Sequence, residues 1–268
     1  MVTPAEAYST RVREFLLWGL LGLAASPVLV DTARYLLTTP WGAYSLVFWA
    51  LFVREVLRNP AAPDPRGAGW LLVAVGIGIE LVMVQAGWPR WGRPGVALAM
   101  LGMALGLGHP RLAMALLALW TVPLPSFIAQ LASPGLEGLL LKLAGFALSP
   151  LGIPLEVVSR TPRETLVTAG SREMPVFASD GGLYLVALLA GLAFYTAVRA
   201  RLGPARVLRR MITWAALALP TQLAAVIAAG AALAAGLPEI ARLGLTHAPW
   251  MLTALAVLAL QTRGGGSR

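Results

Sequence analysis

The sequence contains no cysteine, only two histidines and few charged residues. Cysteine is absent from all 268 residues, which excludes disulfide bonds, thiolate metal sites, iron–sulfur clusters and thiol nucleophiles. Charged residues make up 12% of the chain against 58% hydrophobic residues, whereas soluble globular domains carry about 25% charged and about 45–50% apolar residues. This balance excludes an ordinary water-soluble domain and predicts an integral membrane protein.

Long apolar stretches, separated by short arginine-bearing turns, account for the low charge. Each approaches the roughly 20 residues that a helix needs to cross a bilayer, and continuous apolar runs favour helices over a barrel, whose strands alternate. We predict eight spans, over residues 14–37, 41–57, 69–87, 94–108, 111–130, 181–199, 208–236 and 248–262. The expected fold is an all-α polytopic membrane helical bundle of about eight transmembrane helices. It forms a single transmembrane domain, 1–263, followed by a flexible tail, 264–268.

The net charge of +9 comes almost entirely from arginine. The arginines cluster at the ends of the predicted spans, so membrane topology explains them better than nucleic-acid binding, and we expect no nucleic-acid partner. The densest basic run, 199–210, predicts that this loop and both termini are cytoplasmic. The long connection 131–180 then lies on the outer side. Its stretch 135–150 is typical of an amphipathic interfacial helix or a re-entrant piece, and 155–180 suggests a short extended or hairpin element.

Polar residues inside the predicted spans are functional candidates because lipid makes them costly. The candidates are Asp31, Glu80, Gln85 and Gln222. Asp31 and Arg34 are three residues apart near a helix end, a spacing that predicts a local ion pair. Glu80 has no adjacent cation, so it is protonated, bonded to a neighbouring helix or exposed to a polar cavity. A transport function based on Glu80 and Asp31 stays open as one alternative.

The positions of the two histidines bear on whether the chain could bind a haem or a metal ion. His109 and His247 fall on opposite membrane faces in the predicted topology, so they cannot ligate one haem together. The His-Glu-x-x-His spacing of zinc metalloproteases is missing, as are a serine-hydrolase elbow and a phosphate-binding loop. We therefore expect no metal and no cofactor.

Four features follow one another in the second half of the chain. They are Val122-Pro123-Leu124-Pro125, an amphipathic stretch ending at Gly145, the segment Phe177-Ala178-Ser179-Asp180-Gly181-Gly182-Leu183 and His247 before the last span. This order resembles the exosortase/archaeosortase family of eight-span prokaryotic transpeptidases. Its members carry a Pro-Leu-Pro element, an Ala-Cys-Ser-Gly motif at the outer start of a helix, an arginine on the penultimate helix and a histidine near the last helix. The resemblance implies a multi-pass protein of the prokaryotic cytoplasmic (inner) membrane that acts on C-terminal sorting signals of exported proteins.

The match to the family is partial. Ala178 and Gly181 stand where the family has alanine and glycine, but Ser179 replaces the cysteine and Asp180 replaces the serine. Between Gln222 and Gly236 the penultimate span has no counterpart of the family's asparagine and arginine, and Arg209 and Arg210 lie at its inner end, where they cannot substitute. His247 alone survives of the three catalytic positions. The resemblance thus implies a degenerate member, a pseudoenzyme that still serves protein sorting.

Three functions follow. The first is binding of a sorting-signal peptide, a membrane helix or a partner membrane protein, with membrane lipids around it. The second is an active peptidase or transpeptidase in which Ser179 is the nucleophile, His247 the base and Asp180 the group that orients the base. The third is an accessory subunit of a larger membrane complex. For Ser179 and Asp180, capping of the following helix is the competing structural interpretation.

Overall fold

The computed structural model describes residues 4–38, 44–58, 67–108, 116–122, 126–160, 164–177, 182–247 and 249. The chain divides into two compact units, Met1–Pro123 and Leu124–Arg268. Helices dominate both units, which confirms a mostly helical fold, and the second unit also contains a three-stranded sheet.

The described part of the first unit consists of helices. They are α1 (Pro4–Ala24), α2 (Ser26–Thr38), α3 (Tyr44–Arg58), α4 (Gly67–Gln85), α5 (Arg93–Gly106) and the short α6 (Leu117–Trp120), with a 3-10 turn (Pro89–Gly92) between α4 and α5. The axes of α1 and α2 bend by 72° at Ala25. Pro27, the second residue of α2, lacks an N–H and its ring collides with the preceding turn, so one straight helix cannot continue through this point. The predicted single span 14–37 is therefore a bent pair.

Helices α4 and α5 approach each other through glycines. A Cβ atom added at Gly76 would lie 2.5 Å from the carbonyl oxygen of Gly95, and one added at Gly102 would lie 2.6 Å from the carbonyl oxygen of Gly69. The two backbones therefore touch. Such interfaces of small residues are typical of helices in membranes, where lipid provides no hydrophobic force between helices and close packing must hold them together.

The second unit combines helices with an antiparallel sheet. Its elements are α7 (Ser126–Leu148), a 3-10 turn (Ser149–Leu151), β1 (Leu155–Arg160), β2 (Glu164–Ala169), β3 (Arg172–Phe177), α8 (Leu183–Arg199), α9 (Pro204–Ala216), α10 (Ala218–Ala234) and α11 (residues 238–247). The strand order is β1-β2-β3, with Val167 opposite Met174 and an irregularity in β1 between Val157 and Ser159. The extended element predicted within 155–180 is confirmed and has three strands. The predicted interfacial helix is part of α7, which begins earlier, at Ser126.

One face of the sheet packs against helices. Along β2, Val167 and Ala169 are buried while Leu166 and Thr168 are less so, the period-two alternation of a strand covered on one side. The buried cluster joins strand residues to α7, α10 and α11, and comprises Leu141, Ala144, Val167, Ala169, Met174, Val176, Val226, Ala229, Leu233, Ala241 and Leu245. This core holds α11, the helix that carries His247, beside the sheet and α10.

Two described helical segments are long and apolar enough to cross a membrane. They are α4, with a mean hydropathy of 2.0, and the run Pro204–Ala234 formed by α9 and α10, with 1.8; the bent pair α1–α2 would be a third. The described residues thus do not support the predicted eight-span bundle. Helix α5 has 14 residues, about 21 Å of helix against about 30 Å of hydrocarbon. The predicted span 248–262 lies outside the described residues, apart from Pro249.

Candidate functional site

The catalytic positions suggested by the family resemblance are described only in part. Ser179 and Asp180 lie outside the described residues. His247 lies on α11 and is exposed. The arrangement of a serine, a histidine base and an aspartate therefore stays a prediction.

The start of α8, directly after the motif-like segment, lies against α10. A Cβ atom added at Gly182 would be 3.0 Å from Cγ of Gln222, and only 3% of Gln222 is exposed. Helix α8 packs against α9 and α10, which follow it after a short turn and form a hairpin with it, so a residue 40 positions later meets Gly182. Gln222 carries an amide, which can donate and accept hydrogen bonds but has no positive charge to stabilise a developing anion. It does not replace the arginine of the family.

Asp31 forms its ion pair with a residue that sequence reasoning missed. Nη2 of Arg93 donates to Oδ2 of Asp31 at 2.8 Å, and the guanidinium of Arg93 lies 4.5 Å above the centre of the Tyr35 ring. The predicted pairing of Asp31 with Arg34 stays a prediction, and Arg93 is a partner that the sequence did not suggest. Asp31 and Tyr35 are one helical turn apart on α2 and hold Arg93 from the same side. The sequence offered one signal for this partner, since Arg93 stands directly before the predicted span 94–108.

Glu80 is buried without a hydrogen bond. Its exposed fraction is 1%, and neither carboxyl oxygen has a hydrogen-bond partner among the described residues. Of the three possibilities set out for this residue, a hydrogen bond to a neighbouring helix is thus not found in the described part of the chain. Gln85, the last residue of α4, is exposed. Within the described ranges, no group of three or more His, Asp or Glu side chains could hold a metal ion.

An apolar groove of about 260 Å³ lies in the first unit. Its lining comes from α1, α2, α3 and α5 and comprises Phe15, Trp18, Leu21, Gly22, Ala25, Leu29, Trp49, Phe52, Val53, Val56, Leu57, Val96 and Met100. An adjoining recess of about 370 Å³ shares Phe15, Trp18, Val56 and Leu57 with the groove and also contacts Arg11 and Glu14. The groove is therefore apolar throughout, with charged groups at one end. Such a surface suits an apolar ligand.

No protein-family model, curated protein or solved structure matches this chain. The resemblance to the exosortases therefore rests on the order and spacing of the residues quoted above.

Proposed function

We propose that this chain is an exosortase-like protein of the prokaryotic cytoplasmic membrane that has lost the family's chemistry and binds an apolar helix of another protein. That helix belongs to a C-terminal sorting signal or to a partner membrane protein. The observation that carries the binding function is the apolar groove of the first unit, in which thirteen lining residues offer no charged side chain.

The chemistry of the groove fits a helix. A transmembrane helix presents apolar side chains at i, i+3, i+4 and i+7, and these enter a groove of matching lining. In lipid, van der Waals packing drives such association because the hydrophobic effect gives no advantage over lipid contact. Aromatic residues such as Trp18, Trp49 and Phe52 provide large, rigid contact surfaces.

The proposed loss of chemistry is supported by two positions. Ser179 stands where the family has its cysteine, and a serine hydroxyl needs an activating base far more than a thiol does. Gln222, the residue of α10 that meets the start of α8, is neutral. A fold outlasts such losses because packing is distributed over many residues while chemistry depends on a few.

Site-specific photocrosslinking in membranes tests the binding site. A photoreactive amino acid replaces Leu57, which lines the groove, or Leu71 on α4, which lies outside it; their exposed fractions are 77% and 67%. The probe is a synthetic peptide with an apolar helix of about 20 residues and a basic tail. We expect crosslinks from position 57 and few from position 71. Equal crosslinking at both positions, or none at position 57, contradicts the proposal.

A cleavage assay separates the alternatives. Under the proposal, the wild-type chain leaves the peptide intact. With the photoreactive residue at position 57, the Ser179→Ala and His247→Ala variants crosslink the peptide as strongly as the chain without these substitutions. Cleavage that both substitutions abolish would establish the serine peptidase instead. A stoichiometric complex with another membrane protein, in which position 57 crosslinks neither to the peptide nor to that protein, would establish the accessory subunit.

A further inference from the structure

Three elements of the first unit converge at Glu80. A Cβ atom added at Gly92 would lie 2.8 Å from Cγ2 of Val28 on α2 and 3.6 Å from Cγ of Glu80 on α4. A Cβ atom added at Gly95 would lie 3.1 Å from the backbone nitrogen of Glu80. Arg93 stands in the chain between these two glycines. The start of α5 therefore brings the backbone of Arg93 beside Glu80, with α2 closing the site.

Arg93 has a buried donor left over. Its Nη2 donates to Asp31, while its Nε is buried and has no hydrogen-bond partner in the described chain. The elements packed against this part of α4 are α2, the 3-10 turn and α5. Their other charged groups are Arg34 on α2 and Arg90 on the turn, and both are exposed. Arg93 is thus the least exposed cation of these elements, at 13% side-chain exposure; its guanidinium bonds to Asp31, while Gly92 and Gly95, which flank it in the chain, lie against Glu80. The site contains this one partly buried cation and two carboxyl groups, those of Asp31 and Glu80.

The two carboxyl groups cannot both be satisfied as anions by one guanidinium. An isolated ionised carboxylate in a low-dielectric interior costs more than any other state of the group, so it takes up a proton or finds a cation. Asp31, whose side chain is 33% exposed, holds the cation, and Glu80, at 1% exposure, has none. With the guanidinium bonded to Asp31, the protonated state is the least costly one for Glu80.

We propose that Glu80 is a proton-binding site that competes with Asp31 for Arg93. With the proton on Glu80, Arg93 bonds to Asp31 and ties α2 to the start of α5. When Glu80 releases its proton to water, Arg93 turns to the new carboxylate and the tether on α2 is lost. The site couples one proton to the position of α2, independently of the peptide-binding function proposed above.

A hydrophobic carbodiimide tests the proton site, because it adds to a protonated carboxyl in apolar surroundings and leaves a covalent acylurea. Trypsin releases residues 67–90, in which Glu80 is the sole carboxyl group, so mass spectrometry reads this site directly. We expect labelling of the full-length protein in lipid nanodiscs at acidic pH that falls as the pH rises. The control is Glu55, a buried carboxyl that has an interaction partner and should label weakly throughout.

The substitution Asp31→Asn tests the competition. It frees Arg93 for Glu80, so we expect labelling of Glu80 several-fold below that of the wild type at the same pH. Labelling equal to the wild type, or no labelling of Glu80 at any pH, overturns the proposal.

Spin labels test the release of α2. The chain is free of cysteine, so cysteines placed at the exposed positions Val30 on α2 and Val82 on α4 carry the only labels. We expect the distance between them to change with pH in the otherwise wild-type protein and to stay constant in the Glu80→Gln variant, which preserves the volume and the Asp31–Arg93 pair. A constant distance in the wild type, or an unchanged pH response in Glu80→Gln, contradicts the coupling.

Discussion

Helix α4 of the first unit and strands β2 and β3 of the second unit differ in where they place their large apolar side chains. Helix α4 buries Gly69, Val73, Gly76 and Glu80, and its large apolar side chains, such as Leu71, are exposed. In the second unit, strands β2 and β3 bury Val167, Ala169, Met174 and Val176, as a water-soluble domain does. On α4 the large apolar side chains mostly face outward, the pattern expected in lipid, whereas on β2 and β3 they face inward, the pattern expected in water.

The two regions are therefore expected to derive their stability from different interactions. In lipid, moving an apolar side chain from the acyl chains into the protein gains little free energy. We therefore expect the α4–α5 hairpin to depend on backbone contact at its glycines. Around the sheet, burial of apolar area drives packing, at about 25 cal/mol per Å². Substitutions should therefore destabilise the two regions for different physical reasons.

The largest expected effect is that of Gly76→Leu in the hairpin. The new side chain would meet Gly95 O at 2.5 Å and Ala99 N at 2.6 Å, and backbone cannot move aside as a side chain can. We expect a loss of more than about 5 kcal/mol, above the usual overpacking cost of about 1–3 kcal/mol because the clash is with the backbone of a neighbouring helix, measured by thermal unfolding in detergent. Gly78→Leu on the same helix is the control, since no atom lies within 4 Å there. Equal losses in the two variants would refute close backbone packing.

Next in size is Leu141→Ala in the core of the second unit. Leu141 on α7 is 4% exposed and belongs to the cluster beneath the sheet. Truncation of such a side chain costs about 2–5 kcal/mol through lost burial and the cavity left behind. Leu139→Ala, at 51% exposure on the same helix, should change the unfolding midpoint little. If both variants unfold alike, this core does not stabilise the unit.

Substitution of Gly170 should lower stability through backbone strain and not through a steric clash. Gly170, in the turn between β2 and β3, has φ of +66° and open space around it. We expect Gly170→Ala to cost about 1 kcal/mol because alanine is strained in the left-handed region, and Gly170→Asn to cost less because asparagine tolerates it. Chemical denaturation of the three proteins measures this order. A loss for asparagine as large as for alanine would count against the conformational explanation.

The smallest expected effect is a gain in stability. Arg201, between α8 and α9, has φ of +53°, and glycine relieves that strain while adding freedom to the unfolded chain. We expect Arg201→Gly to raise stability by a few tenths of a kcal/mol, roughly the difference of the two terms. Arg209→Gly, inside α9, should lower it by about 1 kcal/mol. If the melting midpoints of Arg201→Gly and Arg209→Gly shift in the same direction relative to the wild type, Arg201 is not strained.

Local patterns predicted much of the described fold. The expected spans 69–87, 181–199 and 208–236 correspond to Gly67–Gln85, Leu183–Arg199 and most of Pro204–Ala234, because apolar runs of this length have few alternatives to a helix. The bend at Ala25 was missed although Pro27 signals it.

The candidate site depended more on distant contacts. Asp31 and Arg93 are 62 residues apart, and no local spacing links them, so the sequence suggested only the nearby Arg34 as a partner. Gln222 was found as a buried polar candidate, whereas its contact with Gly182 follows only from the hairpin of α8 with α9–α10. The isolation of Glu80 was visible in the sequence because no cation lies within a helical turn of it.

Cysteine accessibility at Val75 tests the central claim, a chain embedded in lipid, most directly. Val75 lies on the exposed face of α4 at 45% exposure, and the protein offers no competing thiol. The account predicts that Val75→Cys in intact membranes resists a membrane-impermeant maleimide applied from either side, while Arg206→Cys, in the basic helix α9, reacts from the cytoplasmic side. Reaction of Val75→Cys at the rate of Arg206→Cys would contradict the account, since α4 would then face water.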